Sequence, residues 1–544
     1  MPLASLDSIS LAYGLNHYSV DKPYRLLLRY SLGEEPDFNE LGAYVGRDVY
    51  EVAYRVDRIS QPLLVNWSVL GDNPDVVLLD PYERKVLVDL VSKYGVNRHP
   101  FEGRSWHHHY TGLYLVGDPG IACILTITIQ TAYALYKYGS EAVRDYYRNL
   151  SGLREPLLWG ATWFTEVQGG SDLGANITTA DEVGNGIWVL NGYKYFASGA
   201  GIADLALVTA RPRGARLGAK GLALFLVPMK RKDGSLNYRI RRLKWKSGTV
   251  AVPTGEVELI NSEGYLIGEK EKGIYYTMEN LMVSRLANSM GALGIARKAY
   301  LEAYRYASIR RAFGKLIKDH PLLARDLLEA ELKIEAGLAI AMKAVTLFDK
   351  AWHDKPPYGD AYHYARFMTH IAKNFTADVA ADVTRTAMEV FGGIGFLHEF
   401  PVEKWHREAL ITPIWEGTSN IQALDMLEAM WKKKAHEPFL DDIEELARSQ
   451  QNYRLAEAAE ELARKTIERL VAEPQRAEWI AKTSLRSLAV AAATLQLLDA
   501  SRVTGDTVFE DVAELYYTLE AKRELPQPDE GVLHEVVSLR GLLV

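Results

Sequence analysis

The 544-residue sequence contains one cysteine, Cys123. A lone thiol excludes an internal disulfide and cannot build a cysteine-ligated metal site, which fits a reducing cytoplasm. Positive charge is not in excess: 63 Lys+Arg stand against 70 Asp+Glu, for a net charge of −7. The chain therefore has no global attraction to nucleic acid or to an anionic membrane. The N-terminus, Met1-Pro2-Leu3-Ala4-Ser5-Leu6-Asp7, lacks the basic n-region and apolar core of a signal peptide. Long hydrophobic runs are scarce. The most apolar one, Gly120 to Leu135, is shorter than a membrane span and carries three Thr plus Gln130, so a buried helix and no membrane partner are expected. No internal repeat or low-complexity tract stands out.

What remains is ordinary globular material, 48% hydrophobic and 24% charged. The length exceeds what one core supports. Hydrophobic periodicity divides it into four parts: helical 1–155, strand-rich 156–272, helical 273–440 and a last helical part, 441–544. The fold class read from this is α+β, mainly α. In the first part Asp80-Pro81-Tyr82 reads as a helix start, with Asp as cap and Pro at the first helical position. A second helix runs to Tyr138 and stops at Gly139. The Trp106-His107-His108-His109-Tyr110 cluster is read as packing, because adjacent histidines point in different directions on a helix or a strand. No metal site is expected. In the second part, Ile187 to Ala197 reads as a hairpin turning at Asn191-Gly192. Leu205–Ala210 and Gly221–Pro228 read as short apolar strands. Turns are expected at Pro212-Arg213-Gly214 and Lys232-Asp233-Gly234.

Four stretches carry chemistry. In Trp163-Phe164-Thr165-Glu166-Val167-Gln168-Gly169-Gly170-Ser171-Asp172 a strand runs into a Gly-Gly-Ser loop, which can offer N–H groups and a hydroxyl to a phosphate. Tyr195-Phe196-Ala197-Ser198 places an aromatic ring and a hydroxyl at one strand end. Arg310-Arg311-Ala312-Phe313-Gly314 offers a guanidinium suited to bidentate phosphate contact. In Val390-Phe391-Gly392-Gly393-Ile394-Gly395-Phe396 an apolar helical run breaks at paired glycines, which let a ligand approach the backbone. It is followed by Pro413-Ile414-Trp415-Glu416-Gly417-Thr418-Ser419-Asn420. There the carboxylate of Glu416 follows an apolar segment, where poor hydration would raise its pKa and make it a usable base near neutral pH.

Together these motifs resemble the acyl-CoA dehydrogenase family, and the Trp before Glu416 with Ser-Asn after the Thr is similar to its AidB-like branch. The resemblance spans nearly all of the chain. It implies a helical N-terminal domain, a middle β-barrel-like domain, a C-terminal helical bundle and, as in the AidB-like branch, an extra C-terminal helical domain. It also implies FAD. Thr165 would lie against the flavin pyrimidine edge, and Gly170 and Ser171 would meet the flavin-side phosphate. Phe196 would stack near the isoalloxazine and Ser198 would approach N5. Arg310 and Phe313 would cradle the pyrophosphate and adenine of FAD bound in a neighbouring subunit, so a dimer or tetramer is expected. Gly392, Gly393, Thr418 and Asn420 complete the implied cofactor set. Glu416 would remove the α-proton of an acyl-CoA thioester while the β-hydride moves to flavin N5.

Departures from the family pattern are local. Pro321 stands after His320 where a Gln is common, removing one adenosine-side contact. Glu389 replaces the usual Gln before the Gly-Gly, and since a carboxylate would repel a diphosphate it is expected to point elsewhere. In the last part, 12 Lys+Arg stand against 20 Asp+Glu over 441–544. That acidic balance disfavours the DNA contact which an AidB-like protein would make there. The alternative to a dehydrogenase is an AidB-like flavoprotein of the DNA-alkylation response. A cofactor-free helical scaffold would require all the motifs to coincide by chance.

Overall fold

The computed structural model describes residues 10–522 and 528–543; Met1 to Asp7 and Pro526 lie outside them. The chain divides into two compact units. One comprises Val52–His109 with Gly120–Ser284, and the other Met1–Glu51, Tyr110–Pro119 and Arg285–Val544.

The first unit is built on strands. A small ribbon pairs β1 (Leu63–Val65) with β2 (Val76–Leu78). The main sheet holds β3 (Gly160–Trp163), β4 (Thr179–Gly184), β5 (Ile187–Ser198), β6 (Leu205–Pro212), β7 (Ala223–Pro228), β8 (Arg239–Leu243) and β9 (Thr254–Ile267). Its order is β3-β6-β4-β5-β9-β7, and a further β6–β7 pairing closes it into a barrel. Closure removes edges that would otherwise invite pairing with another chain. Trp163, Trp188, Phe225, Val208 and Leu190 fill the interior. The turns at Pro212–Gly214 and Lys232–Gly234 form as the sequence implies, with left-handed glycines at Gly214 and Gly234.

The hairpin expected at Asn191-Gly192 is not there. β5 runs straight through that dipeptide, with a bulge between Leu190 and Gly192, and the turn falls at Asn185-Gly186 (φ 53° and 73°). Both dipeptides carry the same turn signal, and packing decides between them. A Cβ on Gly192 would sit 2.7 Å from Thr178 Cβ, so this glycine serves close approach inside the sheet. Asn191 Oδ1 accepts the Asn261 N–H at 2.8 Å, which holds the side chain at the bulge.

The helices of this unit follow their sequence signals. Asp80 caps Pro81–Val88 by accepting the Tyr82 N–H. The Trp106–Val116 helix carries the three histidines around its circumference. His109 Nδ1 lies 2.9 Å from Val96 O and His108 Nδ1 3.2 Å from Ser105 O. Burial pulls the pKa of His107 down to about 3 and that of His109 to about 4, which keeps both rings neutral. The Pro119–Tyr138 helix passes the length and composition test for a membrane span, yet 89% of its most apolar window is buried inside the protein.

The second unit is helical. Its long members are the Gly273–Ile309 helix (from Arg285 on), Pro321–Ala351, Asp360–Phe391 and Pro474–Thr504. Gly294 lets the first of these press on the chain at Tyr114: a Cβ there would overlap the Tyr114 carbonyl and lie 3.1 Å from Gly117 Cα. Arg297 is buried between Asp21 (2.9 Å) and Glu331 (2.8 Å), so both charges of each pair are compensated. The C-terminal stretch is tied in by Arg540 to Glu335 at 2.8 Å and by Lys343 to Asp442 at 2.7 Å.

Candidate active site

The sequence-derived candidates fall into two groups, one in each unit. In the strand unit, β3 delivers the chain into the Phe164–Asp172 loop, and the loop is fastened from below by Glu166. Its buried carboxylate accepts Lys194 Nζ at 2.8 Å, Thr178 Oγ1 at 2.5 Å, the Ile177 N–H at 2.8 Å and Gln168 Nε2 at 2.8 Å. Burial alone would raise the Glu166 pKa; the Lys194 ammonium and the Thr178 and Ile177 donors outweigh it and hold the carboxyl below its ordinary value. So anchored, Thr165 accepts the Tyr195 N–H at 3.0 Å, which sets the loop beside the end of β5. A Cβ on Gly170 would lie 2.9 Å from Thr165 Oγ1, hence the glycine. Trp163 Nε1 donates to Ser198 O at 2.9 Å, and Ser198 Oγ lies 3.2 Å from Thr254 Oγ1. The fold therefore brings Thr165 and Gly170 to the strand end that carries Phe196 and Ser198. Phe196 is 52% exposed although it sits on a central strand, and Ser171 is exposed.

In the helical unit, Arg310 lies at the end of the Gly273–Ile309 helix and is exposed. The chain then forms a two-residue hairpin, β10 (Arg311–Ala312) with β11 (Lys315–Leu316), turning through Phe313 (φ 49°) and Gly314 (φ 85°). This turn holds the Phe313 ring 98% exposed. Tyr306 stacks on Phe391 with centroids 4.3 Å apart, so the same helix end packs at the Gly392-Gly393 break. Gly392 has φ 66° and ψ −145°, a backbone that only glycine adopts readily. A Cβ on either glycine would meet no heavy atom within 4 Å, so the shoulder is open. Glu389 points away from it along the helix surface, pairing with Arg385 at 2.6 Å.

The Glu416 turn is the most constrained element here. Glu416 has φ 57° and Gly417 φ 95°. A non-glycine residue in the left-handed region costs of order 1 kcal/mol and persists only where its surroundings over-determine it. Here three side chains do so through main-chain oxygens. Arg285 Nε donates to Glu416 O at 2.9 Å and Lys373 Nζ to Gly417 O at 2.7 Å. Gln422 Nε2 donates to both, at 2.9 and 3.0 Å. Beneath them Arg285 pairs with Asp425 at 3.0 Å, and His370 Nδ1 lies 2.9 Å from Gln422 Oε1. The Trp415 indole N–H donates to Asn288 Oδ1. Glu416 is half-buried; Thr418 and Asn420 are exposed at the start of the Ser419–Lys433 helix.

Sequence motifs missed the anchors: Glu166 and Lys194 in one unit, Arg285, Lys373 and Gln422 in the other. One signal existed for two of them. Arg285 and Lys373 are isolated cations within helical stretches, Leu281–Gly294 and Phe367–Ala377, that carry no other Lys, Arg, Asp or Glu. Where the fold buries such a residue, it has to be given a partner.

The strand unit presents an exposed ring at Phe196, and the helical unit presents an exposed ring at Phe313, a guanidinium at Arg310 and open backbone at the glycine pair. It also offers a carboxylate on a rigid turn. The family models for the acyl-CoA dehydrogenase middle domain and C-terminal domain match residues 161–262 and 271–431. The chain is 31% identical over 312 residues to a short-chain-specific acyl-CoA dehydrogenase of Megasphaera elsdenii, covering 56% of this chain and 76% of that protein. It is 32% identical over 270 residues to the putative acyl-CoA dehydrogenase AidB of Escherichia coli, covering 49% of this chain and 48% of AidB. Identity thus does not single out the AidB branch. The chain spans about half the length of several curated relatives that it matches. Among solved structures, Caenorhabditis elegans ACDH-11 in complex with C11-CoA superposes with a TM-score of 0.84 at 23% identity, over 96% of this chain and 94% of that one. Motifs, barrel, bundle and matched length agree, and the chain belongs to the acyl-CoA dehydrogenase family.

Proposed function

We propose that this protein is an FAD-dependent acyl-CoA dehydrogenase-like oxidoreductase in which Glu416 is the catalytic base. The observation that carries the reading is the Glu416–Gly417 turn. A carboxylate-bearing residue is held in a costly backbone conformation by three donors that grip its main chain. Rigid placement of a base is what α-proton abstraction from a weakly acidic carbon requires.

FAD is the cofactor, and the residues present fit it. Thr165, Gly170, Ser171, Phe196 and Ser198 would hold the flavin end, and Arg310, Phe313, Gly392, Gly393, Thr418 and Asn420 the phosphate and adenosine portions. Bound FAD supplies the two-electron acceptor for the β-hydride. The chain's own part is to orient the thioester, polarise its carbonyl through the Glu416 N–H, and receive the α-proton on the Glu416 carboxylate. An acyl-CoA is the substrate class. Full exposure of Phe313 on its hairpin, next to Arg310, supports a homo-oligomer in which this hairpin reaches a neighbouring subunit.

Anaerobic titration of the flavin-loaded protein with butanoyl-, octanoyl- and palmitoyl-CoA tests the reading. Bleaching of the visible flavin band by one of them, lost in Glu416→Gln, is the expected result. A bound flavin that stays oxidised with every thioester would rule out the dehydrogenase.

A further inference from the structure

Lys373 is a buried cation at the Glu416–Gly417 turn. It lies on the Asp360–Phe391 helix and is 0% exposed, so its ammonium has given up its water. Among the described residues its hydrogen-bond partner is a peptide carbonyl, Gly417 O at 2.7 Å, and not a carboxylate. Most other buried cations close on acids, as Lys194 does on Glu166, Lys137 on Glu279, Lys404 on Asp118 and Arg297 on Glu331, whereas Lys298 shares the pattern of Lys373 and donates to the Val116 carbonyl. Burying an ammonium against a neutral acceptor is costly, and a methionine would fill the same space without that cost. Consistent with this, burial, with Arg285 adding repulsion, pulls the Lys373 pKa down to about 7. The charged groups that face it are Arg285 from the Gly273–Ile309 helix, Glu416 from the turn and Asp378 on its own helix. Asp378 in turn faces Asp382 and, from the Pro474–Thr504 helix, Arg486 and Lys482.

We propose that Lys373 is a positioning residue for Glu416, acting through the Gly417 carbonyl to fix the turn on which the base is carried. The inference rests on Glu416 being that base. The geometry gives the turn three donors on two carbonyls, and of these Lys373 alone binds Gly417 O without also binding Glu416 O. It therefore sets the orientation of the Gly417–Thr418 peptide, directly after the Glu416–Gly417 peptide that Arg285 and Gln422 hold, relative to the Asp360–Phe391 helix. Releasing it leaves Gln422 on both carbonyls and Arg285 on one, enough to keep the turn folded but not to keep its angle. A displacement of about 1 Å at a reacting group can cost on the order of 10²-fold in rate.

The test compares FAD-loaded wild type, Lys373→Met, Lys373→Arg and Glu416→Gln. Stopped-flow flavin reduction is read at saturating concentration of whichever of butanoyl-, octanoyl- or palmitoyl-CoA reduces the wild type, together with the half-saturation constant. A crystal structure of Lys373→Met is the second readout. The expected result is a fall of at least tenfold in the limiting rate with half-saturation within about threefold, partial recovery in Lys373→Arg, and a rotated Gly417 carbonyl in the crystal. A limiting rate within twofold of wild type overturns the proposal, as does a turn that stays in place. If no thioester reduces the wild type, the reading of Glu416 as base fails by itself, and the crystal structure alone decides whether Lys373 fixes the turn. Should Lys373→Met not fold, Lys373→Gln keeps a neutral donor and takes its place; failure of both to fold shows a packing role and overturns the proposal.

Discussion

Two turns in this protein each carry a glutamate after an aromatic-containing segment, Phe164-Thr165-Glu166 and Ile414-Trp415-Glu416, and the fold uses them in opposite ways. Glu166 is sunk into the barrel. Its carboxylate is the anchor, gripped by an ammonium, a hydroxyl, an amide and backbone N–H groups. Glu416 sits half-buried on a turn whose anchors take its peptide oxygens instead. The first side chain is consumed in holding a loop in place. The second is carried by a loop that other residues hold. Sequence context barely separates the two, because both follow apolar residues and both precede Gly-containing turns. What separates them is which atoms the neighbouring donors reach.

The largest effect expected from this contrast is on rate. Glu416→Gln leaves the main-chain grip of Arg285, Lys373 and Gln422 in place and removes the proposed base. Flavin reduction by an acyl-CoA should fall by roughly 10²–10⁴-fold, the range a positioned base contributes, with FAD content and thermal midpoint unchanged. Glu166→Gln should do the reverse, lowering stability and FAD retention together. A Glu416→Gln protein that loses its flavin would collapse the distinction between the two turns.

Next in size is the ion pair under the first turn. Lys194→Met leaves the Glu166 carboxylate buried without its ammonium, a loss of about 3–5 kcal/mol in urea denaturation. The double variant Glu166→Gln/Lys194→Met should recover part of it. The sign with pH follows from the lowered Glu166 pKa. A carboxyl whose folded pKa is below its unfolded value contributes stability that is complete above the unfolded value, about 4.3. That contribution is lost as pH falls through the folded value. The wild-type urea midpoint should therefore drop on acidification below about pH 4, and the double variant should show a shallower fall.

How much of this was open to sequence reasoning depends on the range of the interactions. The Phe164–Asp172 loop, the Arg310–Phe313 segment, the glycine pair and the Glu416 turn are contiguous motifs, each visible in a short run of residues. The alternation of the barrel strands and the capped helices are local as well. The anchors are not: Arg285 lies 131 positions from Glu416, Lys373 44 positions from Gly417, and Lys194 28 positions from Glu166. Only the folded chain identifies these partners. The Asn-Gly signal failed for a related reason. Asn185-Gly186 and Asn191-Gly192 look alike locally, and it is Thr178, packed against Gly192, that makes the second a strand position.

That same contact gives the third prediction. Gly192→Ala forces a Cβ into Thr178 within a closed sheet and should cost about 1–3 kcal/mol. Gly186→Ala, at an open turn with φ 73°, pays only backbone strain and should cost about 1 kcal/mol. Equal losses would mean that the strand glycine is there for its conformation and not for space.

The smallest effect concerns Glu389, a carboxylate three residues before the Gly392-Gly393 break. In the structure it pairs with Arg385 one turn earlier, with both side chains largely exposed. Exposed pairs at this spacing are worth about 0.3–0.5 kcal/mol. Arg385→Ala should therefore shift the urea midpoint by no more than that. Glu389→Gln, which restores the residue type the family pattern favours, should change FAD retention by less than about twofold if the carboxylate stays paired with Arg385, whose guanidinium already offsets its charge. A marked gain in FAD affinity would show instead that the carboxylate turns toward the cofactor when it binds. Glu389 would then contrast with Glu166, whose carboxylate stays committed to Lys194 and Thr178.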